Sequence, residues 1–322
     1  MSKLNQEVLK LLSKQDFLSG QKMATELGIS RTAVWKAVKS LREEGYTVES
    51  VTNKGYKLVA ASSELNETLL TSMVKDSSLF SEVIYKDSVD STQKLAFGKI
   101  TDIKEPFIVV AGEQTEGRGR FNREWASPEK RGLYMSAVFK PDIYLNEIIK
   151  FNLFISLAIA NAIEKSFNLD AGIKWPNDIY INGRKVCGFL TEVISENNMI
   201  QSIICGIGLN LYHTEDISKL ETATSIEDEL KLDDKKDLDM ESFLKQLIID
   251  LEKQYDQFIN MPFSSIREEW ISKSIIFGKE MRISEMNRTF MAKPVDITDE
   301  GFLLAVDRYG ETHKIISADI EF

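Results

Sequence analysis

Between Val83 and Leu209 the chain alternates strand-length apolar runs with polar loops rich in glycine and asparagine. The runs fall at Val83 to Tyr85, Phe107 to Ala111, Tyr134 to Phe139, Ile179 to Ile181, Val186 to Ile194 and Ile200 to Leu209. Their β-branched and aromatic content suits strands, whereas Phe151 to Lys165 is long enough for a helix. Strands that cannot bury their own faces need helices over them, so the expected fold class is α+β, a mixed or antiparallel sheet with helices on one side. No Rossmann or Walker glycine pattern occurs, and any nucleotide must be held in another way. The apolar stretch Asn152 to Ile163 is broken by Ser156 and Asn161 and falls short of the ~20 residues of a membrane span. It reads as a buried helix, with no membrane partner.

The residues before this region follow helical spacing. Leu4, Val8, Leu11 and Leu12 form one stripe, a second helix runs from about Gln21 to Leu27, and Gly28-Ile29-Ser30 supplies a turn with Ser30 as N-cap. Next, Ala33, Val34, Ala37, Val38 and Leu41 form an inner stripe while Arg31, Thr32, Trp35, Lys36, Lys39 and Arg42 point elsewhere. Gly45 ends the third helix, and Tyr46 to Val51 and Tyr56 to Val59 read as strands joined through Asn53-Lys54-Gly55. This is a winged helix-turn-helix. A small helical domain that docks a protein shares the pattern; charge favours DNA, with Ser30, Arg31, Thr32, Lys36, Lys39 and Lys54 as the contact candidates. Trp35 reads as either a packing residue or a base contact.

Charge supports that division. Residues 1 to 63 hold ten basic side chains against six acidic ones, a net +4, which leaves −14 on the rest of a chain whose total is −10. A basic head on an acidic body implies that only the head meets a polyanion. Ala60 to Asn66, small and polar, is the candidate linker, and a helix from about Leu65 to Val74 opens the next domain. Thr214 to Asp239 is acidic and poor in large apolar residues, which predicts a mobile loop region. Phe243 to Phe258 follows as an amphipathic helix. After Glu280, short runs near Met281 to Ile283, Thr289 to Ile297, Phe302 to Val306 and His313 to Ile316 predict a small SH3-like β-barrel. The expected domains are 1–63, 64–270 and 271–322.

No N-terminal segment combines a basic start, an apolar run and a cleavage site. The two cysteines, Cys187 and Cys205, lie in strand-like runs outside any Cys-x-x-Cys spacing and read as reduced core thiols, which fits a cytoplasmic location. His213 and His313 lie far apart with no ligand cluster at metal spacing, so neither a structural zinc site nor a serine–histidine hydrolase is expected. A magnesium ion carried by a nucleotide remains compatible with this composition.

Two motifs carry chemistry. Residues 112 to 125 read Gly-Glu-Gln-Thr-Glu-Gly-Arg-Gly-Arg-Phe-Asn-Arg-Glu-Trp, and Lys174-Trp175-Pro176-Asn177-Asp178 is followed by Gly183-Arg184-Lys185-Val186-Cys187-Gly188. In an extended loop Arg118 and Arg120 can reach one side while Gly119 lets the backbone approach a phosphate or acyl-phosphate. Together the two blocks resemble the biotin protein ligases, and the basic head resembles the bifunctional members that also repress biotin operons. Over residues 88 to 210 the matching elements occur in family order.

The resemblance implies a class II synthetase-like catalytic domain that activates biotin with ATP to biotinyl-5′-AMP. Biotin then passes to a lysine of the biotin carboxyl carrier protein of acetyl-CoA carboxylase or pyruvate carboxylase. It implies that Gly117 to Arg120 fold over biotin and the adenylate, and that the adenylate-bound homodimer represses through operator DNA. Carried over by position, Ser91, Thr92 and Gln93 resemble the Ser-Thr-Asn element at the biotin ureido end, with Gln93 departing from the usual asparagine. Gln114 resembles the glutamine before the arginine loop, Lys185 the lysine that meets the biotin carboxylate and phosphate, and Trp125 and Asn210 the adenine-binding positions. Asp178 is placed to take a proton from the acceptor lysine. Arg118, Arg120, Arg123 and Lys185 are the donors for charge developing at the α-phosphate, and Lys174 adds positive potential. Taken singly, Ser91 and Thr92 equally read as a helix cap, Trp125 as core and Asn210 as turn punctuation. A lipoate ligase, which shares the acyl-adenylate logic, and a non-enzymatic metabolite-sensing repressor are the alternatives.

Overall fold

A computed structural model describes residues 2–12, 17–43, 46–52, 54–60, 65–232 and 238–321. Gly45, Asn53, most of the expected linker with its boundary at residue 63, and residues 233–237 of the acidic stretch lie outside the described residues.

The head consists of α1 (Lys3–Leu12), α2 (Gly20–Leu27), α3 (Arg31–Glu43) and the antiparallel strands β1 (Thr47–Val51) and β2 (Gly55–Ala60). Its turns are capped as the sequence demands. Ser19 Oγ accepts from Lys22 N at 3.1 Å, and Ser30 Oγ accepts from Ala33 N at 3.1 Å. Gly28 takes the left-handed φ of 65° that lets its N–H close α2. Val8, Leu12, Leu18, Met23, Val34, Val38 and Leu41 form a core of their own. Arg42 is committed to the wing, where its Nε donates to Val48 O at 2.9 Å.

The central region adds α4 (Glu67–Lys75), β3 (Glu82–Val89), α5 (Thr92–Lys99), β4 (Phe107–Gln114), β5 (Gly132–Phe139), β6 (Ile143–Tyr144) and α6 (Ile148–Phe167). Then follow β7 (Gly172–Lys174), β8 (Asp178–Ile181), β9 (Arg184–Glu196), β10 (Met199–Asn210), α7 (Glu215–Ser218), α8 (Ile226–Leu230), α9 (Met240–Asn260) and α10 (Ser264–Lys273). The sheet runs β3-β4-β5-β10-β9-β8-β7, with β6 beside the start of β10. Among the described strands of this sheet, β3 and β4 pair in parallel and the other pairs are antiparallel, so the sheet is mixed.

Helices cover both faces rather than one. On β4, Ile108 and Val110 join the larger core under α6 and α9, while Phe107 and Val109 join a smaller core with Ala96 of α5. Double burial explains why Phe107 to Ala111 reads as a continuous apolar run. Periodicity misses α5 because its apolar residues form no stripe. α6 is long and apolar enough to cross a membrane by length and composition, but here it is core. Phe151 meets Phe139 edge-on at 5.1 Å and Phe258 at 5.5 Å. The two polar residues that interrupt it dock α10: Ser156 Oγ accepts from Trp270 Nε1 at 2.9 Å, and Asn161 Nδ2 donates to Glu269 Oε1 at 2.9 Å.

The acidic stretch is not the loose loop its composition suggests. Thr224, Ser225 and Ile226 are fully buried. Lys185 N donates to Thr222 O at 2.7 Å and Thr224 N to Lys185 O at 2.9 Å, which lays this segment against β9.

Five antiparallel strands follow: β11 (Met281–Ser284), β12 (Thr289–Ile297), β13 (Leu303–Asp307), β14 (Thr312–Ile315) and β15 (Asp319–Glu321), in the order β14-β13-β12-β11-β15. Among the described residues the end strands β14 and β15 are not paired with each other, so the expected small barrel is open. Its inner residues Met281, Ile283, Leu303, Ala305 and Ile320 share one core with α6 and α10. Packing is therefore continuous across residue 271.

Candidate active site

A cavity of about 390 Å³ opens over β9 and β10, under the loop between β4 and β5. Its floor is made of glycine for a steric reason. A Cβ at Gly206 would sit 2.7 Å from the Gln93 side chain, and one at Gly208 would sit 2.4 Å from Trp125 Nε1. Alternate residues of a strand share a face, so Gly206 and Gly208 clear space for Gln93 and Trp125 side by side. The string Gly206-Ile207-Gly208-Leu209-Asn210 is thus strand interior, not turn punctuation.

At one end lie Ser91, Thr92 and Gln93, all buried. Ser91 is the N-cap residue of α5, yet its hydroxyl makes no capping bond. Thr92 N and Oγ1 donate to Gln114 Oε1 at 2.9 and 3.0 Å, and Ser136 Oγ donates to Thr92 Oγ1 at 2.8 Å. Gln114 Nε2 donates to Ser127 Oγ at 3.0 Å. Gln93 Nε2 donates to Leu190 O at 3.2 Å and Glu192 Oε2 at 2.9 Å. Buried networks of this kind fix side chains before a ligand arrives.

The arginine loop covers the cavity. Gly117 is sterically required, since a Cβ there would lie 2.5 Å from Trp125 O; Gly119 is not, for its φ is −106° and its nearest contact would be 3.8 Å. Gly117 is thus needed for packing within the loop, whereas Gly119, the glycine expected to let the backbone approach a ligand, is the one that lines the cavity. Arg118 and Arg120 both line the cavity but rest on different walls. Arg118 Nη2 lies 3.2 Å from Glu192 Oε1 of β9. Arg120 donates through Nη1 to Asn177 Oδ1 at 3.3 Å and Ala318 O at 3.2 Å, and through Nη2 to Ser317 Oγ at 3.1 Å. Burial lowers the Arg120 pKa, although arginine stays charged at any pH the fold tolerates. Arg123 pairs with Asp319 of β15. Phe121 and Asn122 hold φ of 54° and 55°, a cluster of left-handed residues within the loop.

The third wall is the β7–β8–β9 meander. The Trp175-Pro176 peptide is cis, and Asn177 Nδ2 donates to Phe189 O at 2.7 Å. Lys174 Nζ donates to Tyr180 OH at 3.1 Å, and burial pulls its pKa down. Lys185 Nζ sits 2.6 Å from Asp178 Oδ1 and 5.3 Å from the centre of the Trp125 ring. Asp178 Oδ1 has no directed hydrogen bond, and Trp125 Nε1 is buried without a partner. A buried donor without a partner among the described residues is a place for a ligand acceptor. Asn210 Nδ2 donates to Thr224 O at 3.0 Å, anchoring the acidic segment at the rim.

Every expected ligand residue except those of the head lines this one cavity. Sequence reasoning missed Glu192, Ser127, Ser136 and residues 317 to 319. None of them sits in a motif; only the folded register brings them in.

On the head, Arg31, Thr32, Trp35, Lys36 and Lys39 are exposed along α3. Trp35 is 52% exposed and lies outside the buried core of the head. Ser30 serves as the cap, and Lys54 lies 5.7 Å over the Phe17 ring at the wing. No carboxylate cluster was expected beside the histidines, but the fold brings Asp228 to 3.0 Å from His213 Nδ1 and Asp307 Oδ2 to 3.0 Å from His313 Nε2. Glu311 completes a cluster whose ligand atoms lie within 4.8 Å of one another. Asp307 Oδ1, however, accepts from Tyr309 N at 2.9 Å and Glu311 N at 3.0 Å, as in a hairpin turn. Both cysteines are free and buried.

Residues 85–210 match the Biotin/lipoate A/B protein ligase family and residues 3–57 a family of helix-turn-helix domains. The chain is 38% identical over 323 residues to the bifunctional ligase/repressor BirA of Bacillus spizizenii, covering 99% of each. It is 37% identical over 328 residues to that of Bacillus subtilis, again covering 99% of each. The biotin protein ligase from Aquifex aeolicus in complex with biotin and ATP superposes with a TM-score of 0.62 at 26% identity, over 75% of this chain and 98% of that one. With a winged head, a glycine-floored cavity under an arginine loop and full-length similarity to such proteins, the chain belongs to the family of bifunctional biotin protein ligase/repressors.

Proposed function

We propose that the chain converts biotin and ATP to biotinyl-5′-AMP, transfers biotin to a lysine of a biotin carboxyl carrier protein, and represses biotin genes as an adenylate-bound dimer on operator DNA. The observation that carries the reading is the convergence of Arg118, Arg120, Lys174 and Lys185 on a cavity whose other end is the buried network of Ser91, Thr92, Gln93 and Gln114. One end suits a neutral polar ring and the other a phosphate.

In the first step a biotin carboxylate oxygen attacks the α-phosphorus and pyrophosphate leaves. Lys185 and Arg120 stabilise the charge that develops there. Lys185 must exchange Asp178 for the ligand, which leaves that carboxylate free to accept a proton. In the second step the acceptor lysine attacks the acyl carbon, AMP leaves, and Asp178 takes the amine proton. Trp125 stacks the adenine, with Asn210 at its edge. The arginine loop keeps water from the mixed anhydride in between. Of the carboxylates that line the cavity, Asp178 and Asp319 are each matched with a cation; magnesium carried by the nucleotide would neutralise its phosphates. The free, buried thiols and these partners support a cytoplasmic location.

Pyrophosphate exchange into ATP with biotin or lipoate as the sole acid tests the reading. Biotin alone supports exchange. Exchange with lipoate alone, or with neither acid, refutes it, the latter in favour of a sensor without catalysis. For control, the +4 head gives one copy weak attraction for DNA, and two linked heads gain through effective concentration. Sedimentation and operator titration with and without biotin and ATP check this. Operator affinity indifferent to both ligands leaves a constitutive DNA binder.

A further inference from the structure

We propose that Glu192 is a positioning residue that couples the biotin end of the cavity to the arginine loop. The inference rests on the ligase reading and assigns a residue to which that reading gives no role.

Glu192 lies in β9 and uses both carboxylate oxygens. Oε1 is 3.2 Å from Arg118 Nη2, and Oε2 accepts from Gln93 Nε2 at 2.9 Å. Gln93 is itself fixed, because the same nitrogen donates to Leu190 O at 3.2 Å and Gly206 leaves room for its side chain. Among the described residues, Glu192 is the one side chain bonded to Arg118. A half-exposed ion pair alone holds an arginine poorly, since two long side chains must be ordered for it. Here the acceptor is already ordered by a buried amide, so Arg118 alone loses freedom.

The length of residue 93 makes the connection. An asparagine, one methylene shorter, would stop short of the Glu192 carboxylate. A biotin ring held at Ser91 to Gln93 thus steadies the amide, the amide steadies Glu192, and Glu192 keeps Arg118 over the adenylate.

The experiment measures release of preformed biotinyl-5′-AMP from the full-length protein in a trapping assay. Glu192→Gln keeps the shape but removes the charge, and release accelerates about twofold to fivefold, the range of such a pair. Arg118→Ala gives a similar increase, and the double variant releases no faster than the faster single variant. The charge swap Arg118→Glu with Glu192→Arg recovers part of the parental rate. Release by Glu192→Gln at the parental rate, or increases that multiply in the double variant, overturns the proposal. Should Glu192→Gln fail to fold, Gln93→Asn, which leaves the ion pair in place, must accelerate release. A parental rate there overturns the proposal equally. A parent that makes no adenylate refutes the ligase reading instead.

Discussion

Lys185 Nζ lies 2.6 Å from Asp178 Oδ1 across the β8–β9 hairpin, with its ammonium over the Trp125 ring. The cation assigned to the phosphate and the carboxylate assigned to the amine proton thus neutralise each other until substrate separates them. Asp178→Asn then divides the two half-reactions. Transfer to the carrier lysine falls by ~10² to 10⁴, the usual contribution of a positioned base. Adenylate formation, no longer opposed by the pair, holds or rises. Single-turnover assays of each step read the split, and equal losses in both would remove Asp178 from proton transfer.

Lys185→Ala has the opposite signature. A donor at a developing oxyanion contributes ~2.7 to 4 kcal/mol, so adenylation slows by ~10² to 10³. Binding of preformed adenylate suffers less. Equal loss of binding and rate would make the lysine a ligand contact only.

Between the two loop arginines, Arg120 holds more of the closed state. Its side chain bonds Asn177, Ser317 and Ala318, whereas among the described residues the Arg118 side chain bonds Glu192 alone. Arg120→Gly therefore releases adenylate faster than Arg118→Gly and labels bystander lysines more. Asp319→Ala, which removes the partner of Arg123, shifts release in the same direction by less. Mass spectrometry of labelled lysines ranks the three; a reversed order of the arginines would refute this assignment.

On the head, Lys36→Ala weakens operator binding across sequences and lowers the salt slope by about 1, as a phosphate contact does. Trp35→Ala weakens binding at a subset of bases and leaves the slope unchanged. Fluorescence titrations at several salt concentrations separate them. A lower slope with Trp35→Ala would contradict a base contact.

Stability has an alkaline limit. Burial pushes the Cys205 thiol up to about 12 and the Tyr255 phenol up to about 12, against ~8.5 and ~10 in an unfolded chain. The unfolded state gives up these protons first. The contribution is fully present below about pH 8.5 and is lost as pH rises towards about 12. Urea midpoints fall between pH 8 and pH 10, and Cys205→Ala makes that fall shallower. A fall as steep without the thiol would assign it elsewhere.

Local rules made the head legible: caps, a left-handed glycine and a 3.6-residue stripe act over a few residues, and Ser30, Gly28 and Val34 fold accordingly. The long strands were legible for the same reason. The cavity residues of the two motifs were found because the two blocks together resemble a known family, each residue taken singly having a bland reading as well. What escaped was produced by long-range register. Ser156 and Asn161 look like interruptions of α6 until α10 is seen docked on them, and Thr224 looks like loop until it pairs with Lys185. Glu192 is an ordinary strand carboxylate in sequence, and only pairing of β9 with β10 and the α5 start brings it to Gln93. Trp35, by contrast, was ambiguous in principle, since spacing alone cannot distinguish a tryptophan that packs from one left facing solvent.

The clamp on Arg120 by Ser317 and Ala318 sets an order in time. During synthesis the DNA-binding head emerges complete, with its own core, long before residue 317 is made. The cavity cannot close until that segment has left the ribosome and packed. A nascent chain is thus able to fold its DNA reader well before it can hold an adenylate, and the reactive intermediate has no half-built site from which to escape.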